Sequence, residues 1–531
     1  MPDAGLVLIG MPGSGKSTVG SLVAKALGRP FLDTDTLVEE RAGAPVAELL
    51  RRRGEPAFRR MESEAVAAAC AEPGSVIAVG GGSIVDPLNR WMLWHHGAVG
   101  WLDVAPDQLA ARLRADATER PTLQPYEPGR LAATASERAP AYRAATWQID
   151  AAGRPASVAS LVLEQLGSGR RTGRLLDLEV RRHHPIGPET ARIVLGSDLT
   201  AADFQDVLGE RRPAMVVDRR LVTRQAGMLA HIGADRCLSM PGGERVKRMR
   251  HLEGVLEWLA TVEVERDTPL VALGGGTIGD VAGTAAALYA RGLPLVHVPT
   301  SWLAQADSAI GGKVAVDLAH AKNAVGAFWP PVAVISDTAA MRTLTPAQRR
   351  DGIAESVKAA LIGDPPLWEL IERRGSAALH ADEAARYAIV ERSARLKLAV
   401  CDRDPFEVNE RRTLNLGHTI GHALEVASGY RLGHGAAVAL GLRGVAAIAQ
   451  ERGADPTLSG RIDALLVDLG FTLRVPFDGE KARAALRGDK KRRAGRQRWI
   501  LPMEVGRVVE VDDVTEAEVG LALGAISPEA A

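Results

Sequence analysis

Cysteine is nearly missing: Cys70, Cys237 and Cys401 are the three among 531 residues. They lie far apart and in no paired spacing, which excludes a disulfide framework and fits a reducing compartment, the cytoplasm. Net charge is missing too, since 65 Lys and Arg balance 65 Asp and Glu. Nothing global therefore favours nucleic acid or an anionic membrane, and any anion binding must come from local clusters. No uninterrupted apolar run reaches the ~20 residues needed to span a bilayer. No basic leader precedes the first apolar run, which leads straight into a glycine loop and reads as a strand, not a signal peptide. One basic run, GDKKRRAGRQR at 488–498, has no interleaved aromatics. It reads as a solvated loop from which Lys490 or Lys491 reaches an active site, and not as a nucleic-acid surface.

What remains is an ordinary soluble composition, 46% hydrophobic and 24% charged. At ~100–200 residues per domain, a chain of this length holds about three units. Residues 1–167 alternate short apolar runs (GLVLIG, SVIAVGG, AVGWLDV) with helical stretches (KSTVGSLVAKALG, ESEAVAAACAE). That alternation implies a parallel sheet covered by helices on both faces. GSGRRTGR, 167–174, breaks the pattern and places a linker at 168–177. An α/β pattern restarts over 178–340 with ARIVLG, PAMVVD, PLVALGGG and LPLVHVP, and helical periods dominate 341–531.

The first glycine loop, GMPGSGKS, has Gly10, Gly15, Lys16 and Ser17 in the G-x-x-x-x-G-K-[ST] arrangement between an expected strand and an expected helix. Backbone N–H groups and the helix N-terminus cradle phosphates there, Lys16 reaches the terminal phosphates, and Ser17 ligates Mg²⁺. A chance glycine turn is the alternative. Asp33 and Asp35 of LDTD fall on one side of an extended segment, one suited to Mg²⁺ and the other to a substrate hydroxyl, unless the motif is a helix N-cap. Arg59, Gly80–Gly82, Arg120 and Arg138 follow, arginine suiting carboxylate clamping and phosphoryl charge. Each arginine alone reads equally as a solvated surface residue.

In this order and spacing, residues 4–166 resemble shikimate kinase. The resemblance implies ATP with Mg²⁺ as donor, bound by Gly13, Gly15, Lys16, Ser17 and Thr18, with Asp33 supporting the metal. It gives Asp35 the shikimate hydroxyls, as base, Arg59 and Arg138 the carboxylate, and Gly80, Gly81 and Gly82 the lining. Arg120 lies in a lid over ATP and Arg112 stacks on adenine. Thr122 departs from the usual Arg-Pro-Leu of that lid. Gluconate kinase, or another small-metabolite kinase, is the rival reading.

The second loop, LGGGTIGD, fits Gly274-x-Gly276-x-x-Gly279 after an apolar strand, where backbone approaches a pyrophosphate. The pattern is weak by itself, and Asp218 at the end of AMVVD is the better ribose partner. Further on, Glu355 and Lys358 are three apart on one helical face. Arg411, Asn415, His418, His422 and His434 follow in LNLGHTIGH and RLGHG. The i,i+4 spacing alone pairs His418 with His422 as metal ligands, against a helix-end or core role for both, and a third histidine, His434, with a carboxylate beside a lysine, Glu355, favours the metal.

With VPTSWLAQADSAIGGK, KNAVGAF, AESVK and GDKK, residues 178–525 resemble 3-dehydroquinate synthase. The resemblance implies an NAD-binding α/β domain, a helical metal-binding domain and a homodimer. It assigns Zn²⁺ or Co²⁺ to Glu355, His418 and His434, and leaves His422 for substrate phosphate. NAD⁺ falls to Asp218, Glu244, Lys247, Gly274, Gly275, Gly276 and Asp280, then to Thr300, Ser301, Asp307, Lys313, Lys322 and Asn323. The heptulosonate phosphate falls to Arg291, Asp307, Lys313, Asn323 and Lys358, then to Lys397, Arg411, Asn415, His422 and Lys490. Of these, Lys313, Lys358, Arg411 and His422 are implied in catalysis, with Lys16, Asp35 and Arg120 in the kinase. Pro405, Asn409 and Arg220 depart from the family pattern. Together the halves imply a bifunctional shikimate-pathway enzyme acting on small molecules. Another sugar-phosphate cyclase, a polyol dehydrogenase or a non-catalytic scaffold are the alternatives for one half.

Overall fold

A computed structural model describes residues 4–116, 120–210, 212–232, 236–319, 321–488 and 497–528. Lys490 and Lys491 lie outside the described residues. The chain divides into two compact units, one of residues 1–179 with 193–206, the other of 180–192 with 207–531.

The first unit is built on β1 (Gly5–Ile9), β2 (Phe31–Asp33), β3 (Val76–Ala78), β4 (Gly97–Asp103) and β5 (Trp147–Asp150). All neighbours are parallel in the order β2-β3-β1-β4-β5. The expected buried strands are these: Leu6 to Ile9 and Val76 to Ala78 are buried. Apolar residues on both sides of a strand require cover on both faces, and helices such as Lys16–Leu27, packed on β2 and β3, and Pro87–His96, packed on β1 and β4, supply it.

The chain leaves this unit through β6 (Arg174–Arg181) and β7 (Thr190–Gly196). The stretch expected as a linker therefore ends inside a strand. The cause is Arg174, which is buried. Its guanidinium pairs with Asp203 at 3.1 Å, Asp206 at 2.7 Å and Asp177 at 3.4 Å. Asp203 also accepts from Thr172 Oγ1 at 2.6 Å, and Arg143 donates to the Asp177 carbonyl at 3.0 Å. A basic, glycine-rich composition looked solvated because two of its three acidic partners, Asp203 and Asp206, lie about 30 residues on, out of reach of local pattern. Arg174→Ala takes the guanidinium from the buried Asp177 and Asp203 carboxylates and is expected to cost about 3–5 kcal/mol. A denaturation midpoint unchanged from the parent would contradict this.

The second unit carries β8 (Ala214–Asp218), β9 (Arg236–Met240), β10 (Leu270–Gly274), β11 (Leu295–Pro299) and β14 (Ala333–Asp337). They run parallel in the order β14-β11-β10-β8-β9. Between β11 and β14 sits an antiparallel hairpin, β12 (Lys313–Leu318) with β13 (Ala321–Phe328). From Pro346 onward helices dominate, as expected, interrupted by a second hairpin, β15 (Trp499–Glu504) with β16 (Arg507–Val511). The mixed α/β architecture with a helical C-terminal part is the one expected. No helix among the described residues is long and apolar enough to cross a membrane.

Candidate active sites

In the first unit the candidate residues gather at the C-terminal ends of β1, β2 and β3. Lys16 is buried and donates to the carbonyls of Gly10 and Met11, both at 3.0 Å. Gly13 and Gly15 have φ of 83° and 92°, the left-handed backbone that turns successive N–H groups inward. Asp33 is the N-cap of its motif and also reaches Ser17. Its Oδ1 caps the helix Thr34–Ala42 by accepting from Asp35 N at 3.0 Å, while Oδ2 accepts from Ser17 Oγ at 2.6 Å. Asp35 is not in an extended segment, as the sequence suggested, but in the first turn of that helix.

The three glycines 80–82 form the opposite wall. A Cβ on Gly80 would lie 2.6 Å from Asp35 Oδ1 and 2.9 Å from Glu62 Oε1. One on Gly81 would lie 3.2 Å from Arg138 Nη1, and one on Gly82 would strike the Arg59 guanidinium. Asp35, Arg59 and Arg138 thus converge on one backbone stretch. Arg59 is held by Glu62 at 2.8 Å, and Ser83 Oγ donates to the same carboxylate at 2.8 Å. Glu62 escaped the sequence reading, although its place three residues after Arg59 put it on the same helical face. Arg112 donates to the carbonyls of Ala151 and Ala152 at 2.9 and 3.0 Å. Arg120 is 3.5 Å from Asp116, and its backbone N–H donates to Tyr126 OH at 3.0 Å.

Burial sets the electrostatics. It pulls the Lys16 ammonium down to about 8, against the attraction of Asp35. It pushes the Asp35 carboxyl up to about 6, helped by Asp33. Burial alone would lower Arg59, but Glu62 and Glu55 outweigh it and raise it. A carboxyl near neutrality beside cations is a base placed to accept a hydroxyl proton.

In the second unit Gly274 ends β10 and the helix Gly276–Leu288 starts at once behind it. Thr300 N–H donates to the Gly274 carbonyl at 3.0 Å. A cleft there is lined by Gly274, Gly275, Gly276, Asp280, Ser308 and Lys313. Lys247 pairs with Asp280 at 2.5 Å, and Thr277 donates to Glu244 at 3.4 Å. Asp218, ending β8, is held by Arg220 at 2.6 Å. Asn323 N–H donates to Asp317 at 2.6 Å.

Asp307 lies in a π-turn, Ala304–Ser308, a distortion common at functional sites. Its carboxylate takes Lys358 at 3.1 Å and also Lys397, which donates to its carbonyl at 2.7 Å. Burial alone would raise Asp307, but the two lysines draw it down to about 2. Lys313 pairs with Glu407, to which Asn415 donates at 2.9 Å. Arg411 is fully buried, donates to the carbonyls of Gly311 and Pro405 at 2.7 and 2.5 Å, and keeps a buried Nε with no partner among the described residues. A desolvated guanidinium with a spare donor is suited to an anion. Arg291 is exposed, with φ of 64°, and makes no described contact with these groups.

One ligand atom each from Glu355, His418 and His434 lies within 4.8 Å of the others. Glu355 Oε1 is 3.0 Å from His434 Nε2 and 3.4 Å from His418 Nε2. The opposite ring nitrogens meet oxygens: His418 Nδ1 the Leu416 carbonyl at 3.1 Å, His434 Nδ1 the Glu425 carboxylate at 3.2 Å. Such oxygens hold Nδ1–H and leave the Nε2 lone pairs free. A carboxylate with two imidazoles so arranged fits zinc with an open position. Gly417, φ 76°, delivers His418 to the first position of the helix His418–Ala427. A side chain there would meet Leu442 N at 3.0 Å. The i,i+4 spacing thus does not decide the cluster: the ring centroids of His418 and His422 are 5.4 Å apart, but the third member comes from another helix, His434–Glu451. Glu425 and Glu407, like Glu62, were missed.

Comparison with known proteins agrees with this division. Residues 12–167 match the shikimate kinase family, residues 237–351 the N-terminal and 352–492 the C-terminal part of 3-dehydroquinate synthase. A 3-dehydroquinate synthase from Symbiobacterium thermophilum is 38% identical over 340 residues, 63% of this chain and 90% of that protein. A 2-epi-valiolone synthase from Actinosynnema mirum is 41% identical over 288 residues, 53% of this chain and 75% of that protein. Among solved structures, 2-epi-5-epi-valiolone synthase from Streptomyces hygroscopicus subsp. jinggangensis, with NAD⁺ and Zn²⁺ bound, superposes with a TM-score of 0.59 at 28% identity. It covers 64% of this chain and 98% of its own.

Proposed function

Since the chain belongs to the 3-dehydroquinate synthase family and its N-terminal part matches the shikimate kinase family, we propose that it is a bifunctional shikimate-pathway enzyme. One half transfers phosphate from ATP to shikimate. The other converts 3-deoxy-D-arabino-heptulosonate 7-phosphate into 3-dehydroquinate and phosphate. We take 1–167 as the kinase, 178–340 as the NAD-binding part and 341–531 as the helical part, in a cytoplasmic homodimer.

In the kinase, backbone N–H groups of Gly13 to Thr18 hold the ATP phosphates, Lys16 neutralises the migrating group, and Ser17 with Asp33 holds Mg²⁺. Arg59 and Arg138 bind the shikimate carboxylate, which aims a ring hydroxyl at Asp35. Arg120 and Arg112 close the nucleotide side. Because Asp35 must be ionised to take the proton and its carboxyl is raised to about 6, activity is lost as pH falls through that value. Kinase kcat/KM is expected to drop about tenfold per unit on the acid side. A profile flat from pH 7 to 5 would refute Asp35 as base.

In the synthase, Glu355, His418 and His434 would hold Zn²⁺, and the cleft at Gly274–Gly276 would hold NAD⁺. When bound, these supply a Lewis acid and a hydride acceptor for one ring hydroxyl. Lys358, Lys397 and Arg411 bind the acid and phosphate groups of the substrate, Asp307 keeping both lysines charged and aimed. His422, Asn415, Lys313 and Asn323 complete the anion site. Asp218, Glu244, Lys247 and Asp280 serve the cofactor with Thr300, Ser301 and Lys322.

The observation that carries this half is the three-element cluster, Glu355, His418 and His434, beside Lys358, Lys397 and Arg411. The test is phosphate release from the heptulosonate phosphate with and without NAD⁺ and a chelator. Release that needs NAD⁺, stops with chelation and leaves no NADH supports the synthase. Accumulating NADH would indicate a dehydrogenase. The relative named 2-epi-valiolone synthase makes another sugar-phosphate cyclase the second reading, and release only from a different sugar phosphate would select it.

A further inference from the structure

The Glu425 carboxylate divides its two oxygens between two functional groups. It sits in the last turn of the helix that His418 begins, and it is 4% exposed. Oε1 accepts from His434 Nδ1 at 3.2 Å. Oε2 accepts from Lys322 Nζ at 3.1 Å. Lys322 comes from β13 of the hairpin, and its ammonium also lies 4.7 Å from the centre of the Tyr430 ring. Tyr430 is placed in turn by its N–H, which donates to the Glu425 carbonyl at 2.7 Å.

We propose that Glu425 is a positioning residue that couples metal binding at Glu355, His418 and His434 to the placement of Lys322. The inference rests on the metal-site reading above. His434 can offer Nε2 to a metal only while its proton stays on Nδ1, and Glu425 is the acceptor that holds it there. His418 gets the same service from the Leu416 carbonyl, a neutral group with no second partner of this kind. Glu425, by contrast, links a ligand imidazole to a cation of the hairpin. A metal on Nε2 makes Nδ1–H a stronger donor and draws the carboxylate toward the imidazole. An anion that takes up Lys322 removes competition for the same carboxylate and has the same effect. Each event therefore favours the other, and the coupling is reciprocal. Burial makes it felt, because neither oxygen can turn to water when its partner leaves.

The test is zinc affinity of the full-length, metal-stripped chain, read by competition with a chromophoric chelator. Glu425→Gln keeps the shape, loses the charge and is expected to bind zinc about 10–100-fold more weakly. Lys322→Met is expected to tighten zinc binding in the parent and to do nothing in the Glu425→Gln background. Affinity of Glu425→Gln within about threefold of the parent, or a Lys322→Met effect equal in both backgrounds, overturns the proposal. If Glu425→Gln does not fold, Lys322→Met decides alone: an unchanged affinity overturns the coupling. A parent that binds no zinc sinks the metal-site reading too, whereas a parent and a Glu425→Gln that bind alike sink only this one.

Discussion

Glu355→Ala will reduce phosphate release from the heptulosonate phosphate by at least about 10³-fold and leave shikimate phosphorylation at the parental rate. The carboxylate does three things at once. It is one of three grouped ligands, it faces both imidazoles, and it pairs with Lys358, itself 3% exposed. Removing it takes a negative ligand from the metal and leaves a buried ammonium with Asp307 as its carboxylate partner. Glu355→Gln separates the effects, since it keeps the volume and loses the charge. Both variants should fail the phosphate-release assay and pass a coupled ADP assay with shikimate. More than a tenth of parental release in Glu355→Ala would remove the cluster from the mechanism.

Lys16→Met will do the reverse. Kinase kcat is expected to fall about 10²–10³-fold, with the synthase rate unchanged. The ammonium is held by two carbonyls of its own turn, so it is already aimed into the cradle. Nothing else in the loop carries charge, and the helix N-terminus alone cannot replace a cation that tracks the moving phosphoryl group. A variant within tenfold of the parent at saturating ATP would mean that phosphate charge is neutralised elsewhere.

How far these sites were legible depended on whether the chemistry was local in sequence. The phosphate loop was readable because strand, glycines, Lys16 and Ser17 are contiguous and mutually necessary. Asp33 was readable but looked ambiguous, since cap and metal partner were weighed as rivals; one carboxylate has two oxygens, and the cap uses one while the other faces Ser17. The placement of Asp35 was missed because the cap itself starts the helix one residue before it. Spacing along one helix coupled His418 to His422, whereas the cluster needs three helices; His434 and Glu355 were read as favouring a metal, but only resemblance put them in the ligand set in place of His422. The hairpin 313–328 went unseen because its lysines and asparagine were read for charge and its alternation was not. Glu62, Glu407 and Glu425 were invisible for a common reason: each is recognisable only by the cation or imidazole it holds, and for two of the three that partner is not a near neighbour in sequence.

The buried Arg174 has a practical consequence for anyone dissecting the gene. A cut at the composition break, after residue 167, would take the Asp177 carbonyl from Arg143 on the kinase fragment. A synthase fragment begun at 178 would carry Asp203 without the guanidinium 3.1 Å away. Both truncations would then look like loss of cooperation between the two enzymes, although each fragment had merely been trimmed through its own interior. A separation that keeps Arg174 with Asp203, or a full-length chain silenced at one site only, compares the joined and unjoined enzymes fairly.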